Sequence, residues 1–273
     1  MKSLVGTRIL VCGKGGSGKS SLAALLAATL RDRQYDVVLV DGDASNPGGL
    51  TRLVLGAATA PTPLIEFFGG RARVTCPVDD PSPLVRLANG HPLTEAPIDP
   101  AEIPAEYSIR MKNLFLFQVG KIQEACEGCD GPMSKVTRDF IVKGPYVTVL
   151  DVEAGLEHFG RGLERHVDIV LVVIDPSYES FEIAARVVLL SRMLGVETVW
   201  ALLNDVPSQE TEAIMRTAVR ERGANILGSV RYDPEIRRAG LEGSIIGPCK
   251  AKDDIAVCVV NLEAAFAASS PEC

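Results

Sequence analysis

The 273-residue chain is poor in rings. Aromatic residues make up 5% of it, with one tryptophan and three histidines. So few rings offer no stacking platform for single-stranded nucleic acid. Positive charge is also short, with 28 Lys and Arg against 35 Asp and Glu, a net of −7. That excludes a bulk electrostatic grip on DNA or acidic lipid. Long hydrophobic runs are missing too. The most apolar stretch, Ile169 to Ile174, falls far short of the roughly 20 residues a membrane span needs. Seven cysteines are an odd count for a secreted disulfide framework. Met1-Lys2-Ser3-Leu4 runs straight into the first expected strand and leaves no room for a signal peptide. The expectation is a reduced, cytoplasmic protein with neither nucleic acid nor membrane as partner.

What is present is an ordinary globular mixture, 47% hydrophobic and 23% charged. Short Val-, Ile- and Leu-rich runs recur at Arg8–Cys12, Val37–Val40, Leu114–Val119, Tyr146–Leu150, Ile169–Ile174, Thr198–Leu203 and Ile226–Val230. Ser20–Leu30 and Asp253–Ala268 read as helices, and helix-compatible stretches separate the last four runs. Near-continuous apolar strands alternating with helices predict an α/β fold, a single doubly wound, mostly parallel sheet with helices on both faces. Nine of the 17 prolines fall between residues 57 and 110. This stretch is expected to be an insertion of loops and short elements within one domain spanning 1–273. His158 and His166 read as helix-surface residues.

The strongest motif is Gly13-Lys14-Gly15-Gly16-Ser17-Gly18-Lys19-Ser20, followed by Ser21, which fits the P-loop pattern. Glycines let backbone amides form an anion nest, and the following helix adds the positive end of its dipole. Lys19 would reach the β- and γ-phosphates of a nucleoside triphosphate, and Ser20 would place its hydroxyl on Mg²⁺. The same residues match G-x-G-x-x-G, and Asp41 stands about where a dinucleotide site keeps its ribose-binding acid. Lys19-Ser20 separates the two readings, because a lysine and a hydroxyl at that point serve a triphosphate with magnesium. Asp151, ending the Tyr146–Leu150 run, is placed to hold the magnesium. In Asp41-Gly42-Asp43 a carboxylate could orient the attacking water.

Lys14, near the start of the loop, makes the motif similar to the deviant Walker A form of the MinD/ParA/nitrogenase iron protein class, the SIMIBI NTPases. The resemblance implies that Lys14 reaches across an ATP-dependent homodimer and that Asp43 is the catalytic aspartate. It also implies that Asp151 lies on the magnesium side, that Asn204 reads the adenine edge, and that Tyr232-Asp233-Pro234 packs beside the base. Within the class, several stretches resemble the CooC-type ATPases that help insert nickel into carbon monoxide dehydrogenase. They are Thr62–Glu66, Val119-Gly120-Lys121-Ile122, Glu153–Gly162, Asp175-Pro176-Ser177 and Ile226-Leu227-Gly228. The client enzyme and the ATP and Mg²⁺ requirement follow from that likeness.

The departure is at the cysteines. That family carries Cys-x-Cys, whereas here Gly128-Cys129-Asp130-Gly131-Pro132 has Gly131 in the second place. Cys126 and Cys129 instead form Cys-x-x-Cys, whose thiolates suit nickel, zinc or an iron–sulfur cluster. Two ligands do not complete a site, but a symmetric dimer would supply four. Cys12, Cys76, Cys249, Cys258 and Cys273 show no comparable spacing. Two other readings stay open at this point: an iron–sulfur carrier or reductase, and a positioning ATPase that binds a surface.

Overall fold

The computed structural model describes residues 3–56, 59–86 and 90–269. Met1, Lys2 and Cys273 lie outside them. β1 (Arg8–Gly13) leads through the glycine loop into α1 (Lys19–Asp32), and β2 (Asp36–Asp41) follows. Next come α2 (Gly49–Leu55), α3 (Leu64–Phe67), β3 (Ile109–Met111), β4 (Leu114–Gln118), α4 (Gly131–Asp139), β5 (Tyr146–Asp151) and α5 (Glu157–Gly160). The chain ends with β6 (Ile169–Ile174), α6 (Tyr178–Met193), β7 (Val199–Val206), α7 (Gln209–Glu221), β8 (Asn225–Arg231), α8 (Pro234–Glu242) and α9 (Lys250–Ser269).

The eight strands lie in the order β3-β4-β2-β5-β1-β6-β7-β8. β3 pairs antiparallel with β4, and the remaining neighbours pair parallel. Strand side chains alternate between faces. Ile9, Val11, Leu39, Val149 and Leu171 therefore pack under α1 and α9, with Leu22, Leu26, Ile255 and Val259. Leu10, Cys12, Val38, Val40, Leu150 and Val172 meet Phe68, Met133, Phe140 and Val187 on the other face. With both faces covered, strands can be apolar at every position, as β6 is. Chain order reverses around β1, which sits between β5 and β6. Such a switch point opens a crevice at the carboxyl ends of the strands.

The doubly wound, mostly parallel sheet expected from the sequence is the one observed. The Pro-rich stretch holds loops and short elements, among them part of an antiparallel edge strand, β3, and it packs onto α4. Lys135 of α4, itself buried, pairs with Asp80 at 2.9 Å. Arg138 donates to the Ser82 carbonyl at 3.2 Å, and the Leu84 amide donates to Asp139 at 2.8 Å. His158 is buried against Phe159 instead of lying on a helix surface. Among the described residues, no helix is long and apolar enough to cross a membrane.

Candidate functional site: a phosphate cradle beside buried carboxylates

The glycine loop turns back on itself at the end of β1. Gly13 has φ +142°, and a Cβ there would stand 2.5 Å from the Val173 carbonyl oxygen on β6, so the close strand packing needs a glycine. Gly18, at φ +92°, immediately precedes α1. α1 has no side-chain N-cap and no acidic residue in its first turn. Its dipole and uncapped amides are thus left for an anion. Gly15, Gly16, Gly18, Lys19, Ser20 and Ser21 line a cavity of about 430 Å³, closed on the other side by Asp43, Ser45, Asn46, Arg52 and the end of α8 at Gly243.

The two loop lysines are held differently. Lys19 is buried and donates to the Lys14 carbonyl at 3.0 Å. Lys14 turns to the end of β6, where it pairs with Asp175 at 3.0 Å and donates to the Ser177 hydroxyl at 2.9 Å.

Asp41 and Asp151 end the neighbouring strands β2 and β5, and Asp43 follows two residues beyond β2. Asp41 and Asp151 are register partners across β2 and β5. Burial pushes the Asp41 carboxyl up, and Lys121 at 2.8 Å together with the Leu50 amide at 3.0 Å opposes it. Asp151 has less relief. Neither of its buried oxygens meets a hydrogen-bond donor in bonding geometry. Burial first, then the Asp41 charge, push its carboxyl to about 7, against weaker pulls from Ser20 and Lys19. A buried carboxylate without a compensating cation is costly. The charged Asp151 oxygens beside a serine hydroxyl are hard oxygen ligands, a donor set that fits Mg²⁺. Asp43 is half-buried on the cavity wall, and its Oδ1 accepts from the amide and hydroxyl of Ser45 at 2.8 and 2.6 Å.

A strand-end lysine also enters this site. Lys121 pairs with Asp41 and donates to the Asp43 carbonyl, so one buried ammonium fixes both ends of the Asp41–Asp43 turn. The sequence displayed Lys121 within Val119–Ile122 but gave no sign of its partner, 80 residues away.

A nucleotide-binding domain model described as CobQ/CobB/MinD/ParA matches residues 9–246. The chain belongs to this family. An uncharacterized ATP-binding protein of Methanocaldococcus jannaschii is 32% identical over 240 residues, covering 86% of this chain and 92% of that one. The carbon monoxide dehydrogenase accessory protein CooC of Rhodospirillum rubrum is 28% identical over 247 residues, covering 86% and 88%. The fold matches the cell division ATPase MinD of Pyrococcus furiosus with a TM-score of 0.65 at 19% identity, over 95% of this chain and 99% of that one. The protein is accordingly an ATPase of the MinD/ParA class.

In this MinD/ParA-class chain the three residues expected near the base do not line the phosphate cavity. The Asn204 side-chain amide donates to the Ser17 carbonyl at 2.8 Å, behind the loop. Tyr232 is exposed. Asp233 accepts from the Glu235 amide at 3.0 Å and the Ala251 amide at 3.2 Å, so its two oxygens cap α8 and the first turn of α9.

The Cys126–Cys129 loop precedes α4. Both cysteines are exposed, and Cys126 has φ +65°. Glu127 accepts the Gln123 and Glu124 amides at 2.8 and 2.7 Å, folding the loop onto itself. Arg71, from the Pro-rich stretch, donates to the Cys129 carbonyl at 2.7 Å and pairs with Glu127 at 3.0 Å. Among the described residues, no three His, Cys, Asp or Glu side chains are placed together to hold a metal ion.

Next to Cys129, Asp130 opens α4 and meets Arg161, which also donates to Ser134 at 3.0 Å. Glu153, two residues beyond Asp151, belongs to the same cluster. Burial and the Asp130 charge push the Glu153 carboxyl to about 7. Burial acts on Asp130 as well, but Arg161 outweighs it and holds that carboxyl below its usual range. The two carboxyls are thus pushed in opposite directions, Glu153 up and Asp130 down.

Proposed function

We propose that the protein is an ATP-hydrolysing, dimerising metallochaperone that assists metal insertion, of nickel in particular, into a carbon monoxide dehydrogenase-type client. The observation that carries this reading is the Glu153–Asp130–Arg161 cluster. It joins the segment that follows Asp151 to the loop that bears Cys129, and so gives nucleotide state a route to the thiols. The likeness to CooC over most of both chains supports the choice of client.

In the proposed mechanism the glycine-loop amides and Lys19 hold the β- and γ-phosphates of ATP and stabilise charge on the transferring phosphoryl group. Ser20 and Asp151 would hold Mg²⁺, which would neutralise phosphate charge. Asp43 orients water for in-line attack from the far wall of the cavity. Lys14 leaves Asp175 and Ser177 to reach the phosphates of a second copy as the dimer closes. Asn204 and the Tyr232–Asp233 turn fix the base side through backbone position. Closure brings two cysteine loops together, and four thiolates from two chains can complete one tetrahedral site.

The test is anaerobic purification with Ni²⁺, with and without ATP, reading molar mass by light scattering and metal by mass spectrometry. The reading predicts an ATP-dependent dimer carrying about half a metal ion per chain, the share one four-thiolate site between two chains requires. A monomer without metal in every nucleotide state would overturn it and leave the ATPase standing.

A further inference from the structure

Gly131 is the first residue of α4. Its backbone lies outside the left-handed region that would demand glycine, and glycine lowers helix stability relative to alanine by roughly 1 kcal/mol. What a side chain would meet there explains it. A Cβ on Gly131 would stand 2.6 Å from the sulfur of Cys76, 2.9 Å from its Cβ, and 3.3 Å from the sulfur of Cys129. Two thiols from segments far apart in sequence thus converge on one small space, and Gly131 keeps it open.

We infer that Cys76 and Cys129 form the thiol pair of this protein, a site for a thiophilic metal ion, with Cys76 supplying the sulfur that Gly131 cannot. This rests on the reading of the cysteine loop as a metal site and changes its composition. Cys76 is carried on a stretch fastened to the loop on both sides of the sulfur. Arg71 holds the Cys129 carbonyl and Glu127, and Asp80 holds Lys135 of α4. Between them the Cys76 carbonyl accepts the Asp79 and Asp80 amides at 3.1 and 2.9 Å, a turn that fixes the cysteine backbone.

An ion held by the pair would sit about 2.3 Å from each sulfur. Each thiol releases its proton as it binds. Two thiolates leave coordination positions open, for a second copy or for the protein that receives the ion. The Pro-rich stretch then has a chemical purpose: it delivers a ligand.

The experiment is a titration of reduced, full-length protein with Cd²⁺, followed by the near-ultraviolet thiolate-to-metal charge-transfer band, with ATP binding as the check on folding. Cys76→Ser and Cys129→Ser are each expected to weaken Cd²⁺ binding at least about tenfold, no less than loss of an outer-shell partner does at metal sites. Gly131→Ala, which pushes a methyl into the Cys76 sulfur, is expected to weaken it while the protein still binds ATP. Wild-type affinity in Cys76→Ser, with loss in Cys126→Ser and Cys129→Ser, overturns the pair and leaves the metallochaperone reading intact on Cys-x-x-Cys. Absence of any band in the wild type overturns both the pair and the metal reading of the loop.

Discussion

The phosphate loop hangs from β1, between strands buried on both faces, and its contacts are mostly with its own backbone and with the ends of β6 and β7. The cysteine loop hangs in front of α4, is exposed, and is pinned by Arg71, which lies 58 residues from the carbonyl it holds. The first site is pre-organised by the sheet itself. Removing one cradle side chain removes chemistry and leaves the scaffold standing. The second is assembled from residues of a Pro-rich stretch, a loop and a helix start, so single changes there alter geometry before they alter chemistry.

The largest expected effect tests the rigid half. Lys19→Ala should lower phosphate release at least about 100-fold, the scale of losing one positioned donor to transition-state charge. Thermal stability should change little, because the Lys19 ammonium donates to a carbonyl of its own loop, that of Lys14, and pulls only weakly on Asp151. Unchanged hydrolysis would remove Lys19 from the mechanism.

Asp151→Asn separates chemistry from stability at one atom. Hydrolysis is expected to fall by a similar factor, while the magnesium-free protein becomes more stable near neutral pH. The sign follows from the raised carboxyl. Between about pH 4 and 7 the folded chain keeps a proton on Asp151 that the unfolded chain has released, so stability falls as pH rises through that window. Each tenfold gain in proton affinity on folding corresponds to about 1.4 kcal/mol, which puts the effect on the order of a few kcal/mol. Urea unfolding at pH 5 and pH 7.5, without magnesium, should show the slope in wild type and its loss in Asp151→Asn. An equal slope in both proteins would mean that Asp151 is not the group responsible.

How much of this was readable in the sequence follows the same division. The phosphate loop occupies consecutive residues, and its conformation depends on local glycines, so Gly13 to Ser21 could be read directly. β6 was legible to the residue because a strand covered on both faces is apolar throughout. The Lys121 contact with Asp41 depends on β2 and β4 being neighbours, which no local pattern records. The approach of Cys76 to Cys129 depends on how the Pro-rich stretch packs on α4. Spacing alone favoured Cys126 with Cys129, since pattern reading sees only separations along the chain. Asp233 entered through the likeness of Tyr232-Asp233-Pro234 to a loop beside the base, and that likeness said nothing of the two helix starts its oxygens cap.

The cluster between the two sites offers a smaller effect. Arg161→Ala removes the cation that holds the Asp130 charge and donates to Ser134. Loss of such charge-assisted bonds costs about 1–3 kcal/mol. Hydrolysis should persist, because Arg161 lies outside the phosphate cavity. What should disappear is any difference in Cys129 alkylation rate between ATP-bound and nucleotide-free protein. If that difference survives intact, nucleotide state reaches the loop by another route.

The smallest effect tests whether the loop is held by the distant segment at all. Arg71→Ala deletes the bond to the Cys129 carbonyl without touching either sulfur or the phosphate cavity. An ordinary hydrogen bond contributes about 1 kcal/mol, which corresponds to roughly a fivefold change in the population of an opened loop. Cys129 alkylation should therefore quicken by about that factor, with hydrolysis unaltered. Arg71→Lys should restore only part of the protection. A single ammonium cannot reproduce the fork that reaches the carbonyl and Glu127 together. If neither substitution changes the alkylation rate, the loop holds its shape through the Glu127 contacts with the Gln123 and Glu124 amides, and the two halves of the molecule are more alike than their surroundings imply.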